Sequence, residues 1–134
     1  MDFTVKPNSQ AEISELVTEN NTAIKMGSGK SPVYATPALV ALMENAAILA
    51  CDSQLPEGYN TVGISMNVKH VAATPIGLKV TAKATLTEQD RRKLTFKIEA
   101  FDDAGLVGEA VHERFIIESA PFLAKAEAKK NAHK

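Results

Sequence analysis

TPALVALMENAAILAC, residues 36–51, is the stretch that decides the fold. Thr36 is an N-cap residue type, and Pro37 then falls at the first helical position, where the missing N–H is no loss and φ is already suitable. A helix capped by Thr36 is therefore predicted from Pro37 to Cys51. From Ala38 onward only Glu44 and Asn45 interrupt the apolar run. Such a helix is hydrophobic all round and has to be wrapped by other structure.

Past Pro56-Glu57-Gly58 the period changes from helical to alternating. Thr61 to Ala73 sets Val62, Ile64, Met66 and Val68 on one face, and His70 continues it. Thr74-Pro75-Ile76-Gly77 is turn chemistry. Three further strands are predicted over Leu78 to Glu88, Lys93 to Phe101 and Leu106 to Glu118, with reversals at Asp90-Arg91-Arg92 and Asp102-Asp103-Ala104-Gly105. Successive strands joined by short turns predict an antiparallel meander. In the other direction, Gly27 to Pro32 is a loop, Glu19-Asn20-Asn21-Thr22 caps a brief helix through Met26, and Ala11 to Thr18 is an outer strand. The lysine-rich tail from Phe122 to Lys134 favours a frayed surface helix. The fold class is α+β, an antiparallel sheet wrapped on one long helix, in a single domain over residues 1–134.

Composition narrows the function. With 134 residues, 45% hydrophobic and 23% charged, the chain has the size and balance of one globular domain. A net charge of −1 provides no basic field for nucleic acid. Met1-Asp2-Phe3-Thr4-Val5-Lys6 has no basic-then-apolar signal pattern, and no apolar run approaches the ~18 residues of a membrane span, so a cytoplasmic protein without a membrane partner is expected. The single cysteine, Cys51, makes no internal disulfide and reads as packing. No P-loop, dinucleotide fingerprint or G-x-S-x-G elbow is present.

Glu44 is the residue that needs a reason. A carboxylate within an apolar helix is either anchored by a structural hydrogen bond or held partly desolvated as a base or nucleophile. His70 is either a satisfied core histidine or a second titratable group that the sheet directs towards the helix carrying Glu44. Neither has further histidines or cysteines at ligand spacing, so no metal site is expected. Thr36 is explained by capping, or by the partial positive charge that a helix N-terminus offers an oxyanion. Eight residues separate Thr36 from Glu44, about 12 Å along a helix. Either a substrate spans them or a second chain completes the site. Gly63 interrupts a well-filled strand and marks a bulge or a close backbone approach. Arg114, inside a strand, requires a carboxylate or an anionic ligand. The basic turn Arg91-Arg92-Lys93 is either simply solvated or available to a ligand phosphate.

These residues also carry a resemblance. Tyr34-Ala35-Thr36-Pro37, Leu42-Met43-Glu44, the run Val68-Lys69-His70-Val71-Ala72-Ala73-Thr74-Pro75-Ile76-Gly77-Leu78, and Val111-His112-Glu113-Arg114 resemble, in order and spacing over residues 10–120, the fluoroacetyl-CoA thioesterase family of hotdog proteins. The resemblance implies a hotdog homodimer with its active site between subunits, hydrolysing a short-chain acyl-CoA without a metal or organic cofactor, coenzyme A being part of the substrate. It implies Thr36, Glu44 and His70 as the catalytic set, and Gly63 and Arg114 as substrate-holding residues. One departure stands out: Met26 to Val33 (MGSGKSPV) contains no aromatic residue. The family's fluoroacetyl-selective members carry an aromatic lid before the threonine, so strong fluoroacetyl selectivity is not expected. The alternative is a non-catalytic acyl-CoA-binding or regulatory hotdog module.

Overall fold

The computed structural model describes residues 1–132. Strand β1 (Gln10–Leu16) leads into a 3-10 turn (Glu19–Asn21) and the short helix α1 (Ala23–Met26). The long helix α2 (Thr36–Cys51) follows, then strands β2 (Tyr59–His70), β3 (Lys79–Asp90), β4 (Lys93–Asp102) and β5 (Gly105–Glu118), and helix α3 (Ser119–Ala132). Thr18 and Thr22 cap the two short helical turns through their side chains, satisfying N–H groups that the helices leave open. Helix α3 is exposed from Ser119 to Asn131, as its lysine-rich sequence predicts. His133 and Lys134 of the predicted tail lie outside the described residues.

All five strands pair antiparallel in one sheet, in the order β1-β3-β4-β5-β2. The predicted meander holds for β3, β4 and β5 only. Strand β2 pairs with β5 on the far edge instead of with β3. The connection between β2 and β3 crosses the sheet end, held by Val71 N–H donating to the Val107 carbonyl at 2.8 Å and by the Thr74 hydroxyl donating to Asp102 at 2.8 Å. Alternation specifies a strand's faces but not its neighbour, so this crossover left no mark in the periodicity.

The single predicted face of β2 is also corrected. Gly63 pairs with Arg114 and Ser65 with Glu113, leaving Ile64 as the extra residue of a bulge. Before it Thr61 is buried and Gly63 faces the helix; after it Met66, Val68 and His70 face inward, and Ile64 is 51% exposed. One inserted residue thus flips the strand.

Helix α2 lies on the sheet and buries Ala38, Leu39, Leu42, Met43, Ala46, Ala47, Ala50 and Cys51. It is not wrapped all round. Pro37, Ala41, Asn45 and Leu49, spaced four residues apart, form an open stripe. The core beneath it consists mainly of inward residues of β3, β4 and β5, among them Val80, Leu86, Leu94, Phe96 and Ile98.

Candidate active site

The sequence-predicted residues separate into two groups, one at the N-terminus of α2 and one beside its middle. At its N-terminus, Tyr34 N–H donates to the Thr74 carbonyl and Ala35 N–H to the Asn21 carbonyl, both at 2.9 Å. These bonds carry the chain into the helix one residue earlier than predicted. Ala35 is therefore the N-cap, with no side-chain cap, and Thr36 is the first helical residue. The capping role expected of Thr36 is thus corrected, and its hydroxyl is free for another partner. That partner is His70, at the end of β2: Thr36 Oγ1 lies 2.8 Å from His70 Nδ1. The other ring nitrogen, Nε2, is buried and makes no hydrogen bond among the described residues. Burial holds the His70 pKa below its ordinary value, and the nearby Ala72 backbone offsets this only in part.

The second group surrounds Gly63. Glu44 projects from the flank of α2 and, contrary to the expectation of a buried carboxylate, its side chain is 40% exposed in the single chain. Arg114 is buried, its side chain 4% exposed. Its Nε donates to Thr61 Oγ1 at 2.8 Å and its Nη2 to the Thr61 carbonyl at 3.0 Å. Its Nη1 faces Glu44 Oε2 at 3.5 Å, the structural ion pair that an arginine in a strand requires. Asp52 supports the far side, accepting from the Thr61 hydroxyl at 2.6 Å. A Cβ at Gly63 would lie 2.6 Å from Glu44 Oε2, so any side chain there displaces the carboxylate. The bulge and the close approach that the lone glycine suggested both occur at this point.

His112 belongs to this group; it lies within the Val111-His112-Glu113-Arg114 segment, but no role is expected of it from the sequence. It is 1% exposed, with Nδ1 2.7 Å from the Ser65 carbonyl and Nε2 3.1 Å from Arg114 Nη1. A signal existed in Ala110, His112, Arg114 and Ile116, which alternate on the inward face of β5. Cys51 is buried packing, its thiol pushed up to about 12 mainly by burial. In the basic turn, Arg92 stacks on the Phe3 ring at 4.5 Å, Arg91 pairs with Asp90 and Lys93 with Glu113. Among the described residues no group of three or more His, Cys, Asp or Glu is arranged to hold a metal ion.

One chain does not unite the two groups. Glu44 and Thr36 stand about 12 Å apart along the helix. Gly63 and His70, six ladder steps apart on β2 once the bulged Ile64 is discounted, are separated by roughly 20 Å. The shared interior expected for Glu44 and His70 is therefore not found within a single chain.

With this geometry in view, similarity to known proteins becomes informative. The family described as fluoroacetyl-CoA-specific thioesterase matches residues 17–120. The fluoroacetyl-CoA thioesterase of Streptantibioticus cattleyicolor is 38% identical over 97 residues, covering 72% of this chain and 70% of that protein. The solved fluoroacetyl-CoA thioesterase FlK superposes with a TM-score of 0.88 at 30% identity, over 94% of this chain and 98% of FlK. A hot-dog-like protein from Thermanaerovibrio acidaminovorans shares the fold, with a TM-score of 0.85 at 23% identity over 97% of each chain.

Proposed function

The chain belongs to the fluoroacetyl-CoA-specific thioesterase family, and on that premise we propose that it hydrolyses a short-chain acyl-CoA to the free acid and coenzyme A. It is a thioester hydrolase of the hotdog fold. The proposed unit is a cytoplasmic homodimer of one hotdog domain per chain, needing no metal or organic cofactor.

The observation that carries the composite site is the Thr36–His70 pair, in which the buried His70 Nε2 has no partner among the described residues. A buried N–H or bare ring nitrogen left unpaired costs about 1–3 kcal/mol, so a native assembly normally supplies a partner. A second copy brings that partner if Glu44 of one subunit faces Thr36 and His70 of the other. Two open surfaces favour such pairing: the unpaired edge of β2, with Ile64 exposed, and the stripe from Pro37 to Leu49.

In this reading the thioester carbonyl sits between the subunits. Glu44 takes a proton from water as the water adds, or adds itself to give an anhydride that water then opens. The helix N–H groups behind Thr36 face the oxyanion, while the Thr36 hydroxyl donates to His70 Nδ1 and so directs the Nε2 hydrogen towards Glu44. When the carbon–sulfur bond breaks, the sulfur leaves as thiolate and is protonated through His70. Either route consumes one water and releases one free thiol. Burial of His70, which holds its pKa below the ordinary value in the single chain, is compatible with a ring that accepts a proton and passes it on. Gly63 and Arg114 hold the acyl group or the water beside Glu44.

Met26 to Val33 provides no aromatic lid, so the proposed enzyme discriminates weakly between fluoroacetyl-CoA and acetyl-CoA. Free-thiol release across a panel of acyl-CoA substrates tests the function. Turnover of at least one short-chain member is expected; tight binding with no release from any would favour the non-catalytic module.

A further inference from the structure

Arg114 has five N–H donors in one plane. Thr61 takes the edge formed by Nε and Nη2, at 2.8 and 3.0 Å. Nη1 carries two hydrogens, and His112 Nε2 accepts one of them at 3.1 Å. In a rigid planar fork, fixing the first hydrogen fixes the direction of the second, and that one points to Glu44 Oε2. We infer that His112 is the positioning residue that aims Arg114 at Glu44. The inference rests on the thioesterase reading for its consequence in catalysis, but its geometry stands independently.

The acceptor at Nε2 is itself set by the fold. A carbonyl only accepts, so the 2.7 Å contact to Ser65 O places the proton of the neutral ring on Nδ1 and leaves Nε2 bare. Ser65 directly follows the bulged residue Ile64. The bulge therefore selects the tautomer, the tautomer holds the guanidinium, and the guanidinium faces the carboxylate. The same ring packs under Gly63, its Cε1 3.2 Å from where a Cβ would stand. Burial chiefly, with Arg114 adding to it, keeps the His112 pKa below its ordinary value; the Ser65 carbonyl and the charges of Glu44 and Glu113 oppose this.

Two substitutions separate the ring's two contacts. In H112N the amide reaches about as far as Nδ1 and donates to Ser65 O, but leaves Arg114 without its acceptor. In H112Q the side-chain carbonyl reaches about as far as Nε2 and accepts from Arg114. Thiol release from the best acyl-CoA gives kcat, and NMR of the Arg114 Nη hydrogens reports whether guanidinium rotation is hindered. H112Q should exceed H112N in kcat by about tenfold, and hindered rotation should persist in the wild type and H112Q but not in H112N. Equal kcat values, H112N above H112Q, or the same guanidinium behaviour in both variants would overturn the role. If the wild type releases no thiol, the enzymatic reading fails by itself and the NMR comparison decides His112. If H112N does not fold, the ring nitrogen shifts of the wild type decide: a protonated Nδ1 with a bare Nε2 supports the role, and a protonated Nε2 refutes it.

Discussion

Gly63 is the residue where the geometry demands most and allows a clean separation of stability from activity. A methyl group there would meet Glu44 Oε2 at 2.6 Å, but that atom ends a flexible side chain that is 40% exposed. Glu44 can swing away cheaply, so Gly63→Ala should shift Tm by only a few degrees, about what 1 kcal/mol does in a chain of this size, while kcat falls by roughly tenfold or more. Thermal melts and thiol release on the same preparation check it, and a drop in activity that merely tracks unfolding would count against a role in the site. Glu44→Gln tests the carboxylate directly. The amide keeps the shape and loses the charge, so turnover should fall by roughly a hundredfold or more in a folded protein; near-wild-type kcat would refute the base or nucleophile. At this scale the sequence was informative wherever one residue broke a pattern. Glu44 interrupts an apolar helix and Gly63 a filled strand, and each departure has a contact behind it. His112 broke no pattern, because a histidine at an inward strand position looks like core until its partners are known. Thr36 was misread for a different reason: the helix start is set by backbone bonds to Asn21 and Thr74, remote in sequence from the cap.

Elements were legible in number and type, and less so in arrangement. Helix α2 ends at the predicted Cys51 and starts one residue before the predicted Pro37, and β4 and β5 each begin or end within a residue of their predicted limits. Neither the position of β2 beside β5 nor the flip at Ile64 follows from alternation, since a bulge changes the face without changing composition. The element pairing does carry a pH consequence. Strands β2 and β5 each hold one histidine whose folded pKa lies below the value of 6.5 that it takes when unfolded. Between the two values the unfolded chain binds more protons than the folded one, so stability increases with pH there. Above pH 6.5 the contribution is full; it is lost as the pH falls below 6.5 towards the folded values. Tm should therefore fall between pH 7 and pH 5, and His112→Gln, which removes one of the two groups, should flatten that slope. A slope unchanged by the substitution would mean that His112 does not titrate with folding.

For the whole molecule the open question is where one active site ends and the next begins. The sequence anticipated this from a single distance, the roughly 12 Å between Thr36 and Glu44 on one helix, and the separation of Gly63 from His70 along β2 gives the same answer. What no single sequence supplies is the contact itself, because an isologous interface is written as open edges and stripes, not as a motif. Complementation between inactive chains decides it. Glu44→Gln removes the carboxylate from the group around Gly63, and His70→Ala removes the imidazole from the group around Thr36. Each homodimer then has two damaged sites. When the two variants are co-folded in equal amounts and exchange freely, about half of the dimers are mixed. In a mixed dimer with sites shared between subunits, one site receives both substitutions and the other receives none. About half the dimers with one intact site of two should restore about a quarter of wild-type activity. If each site lies within one chain, every site in the mixture still carries one substitution and nothing is restored. The measurement is thiol release from the co-folded mixture against the two variants purified alone and then assayed together without exchange. Recovery near a quarter establishes the shared site; activity no higher than the sum of the separate variants, in a mixture that native mass spectrometry shows to contain the heterodimer, rejects it.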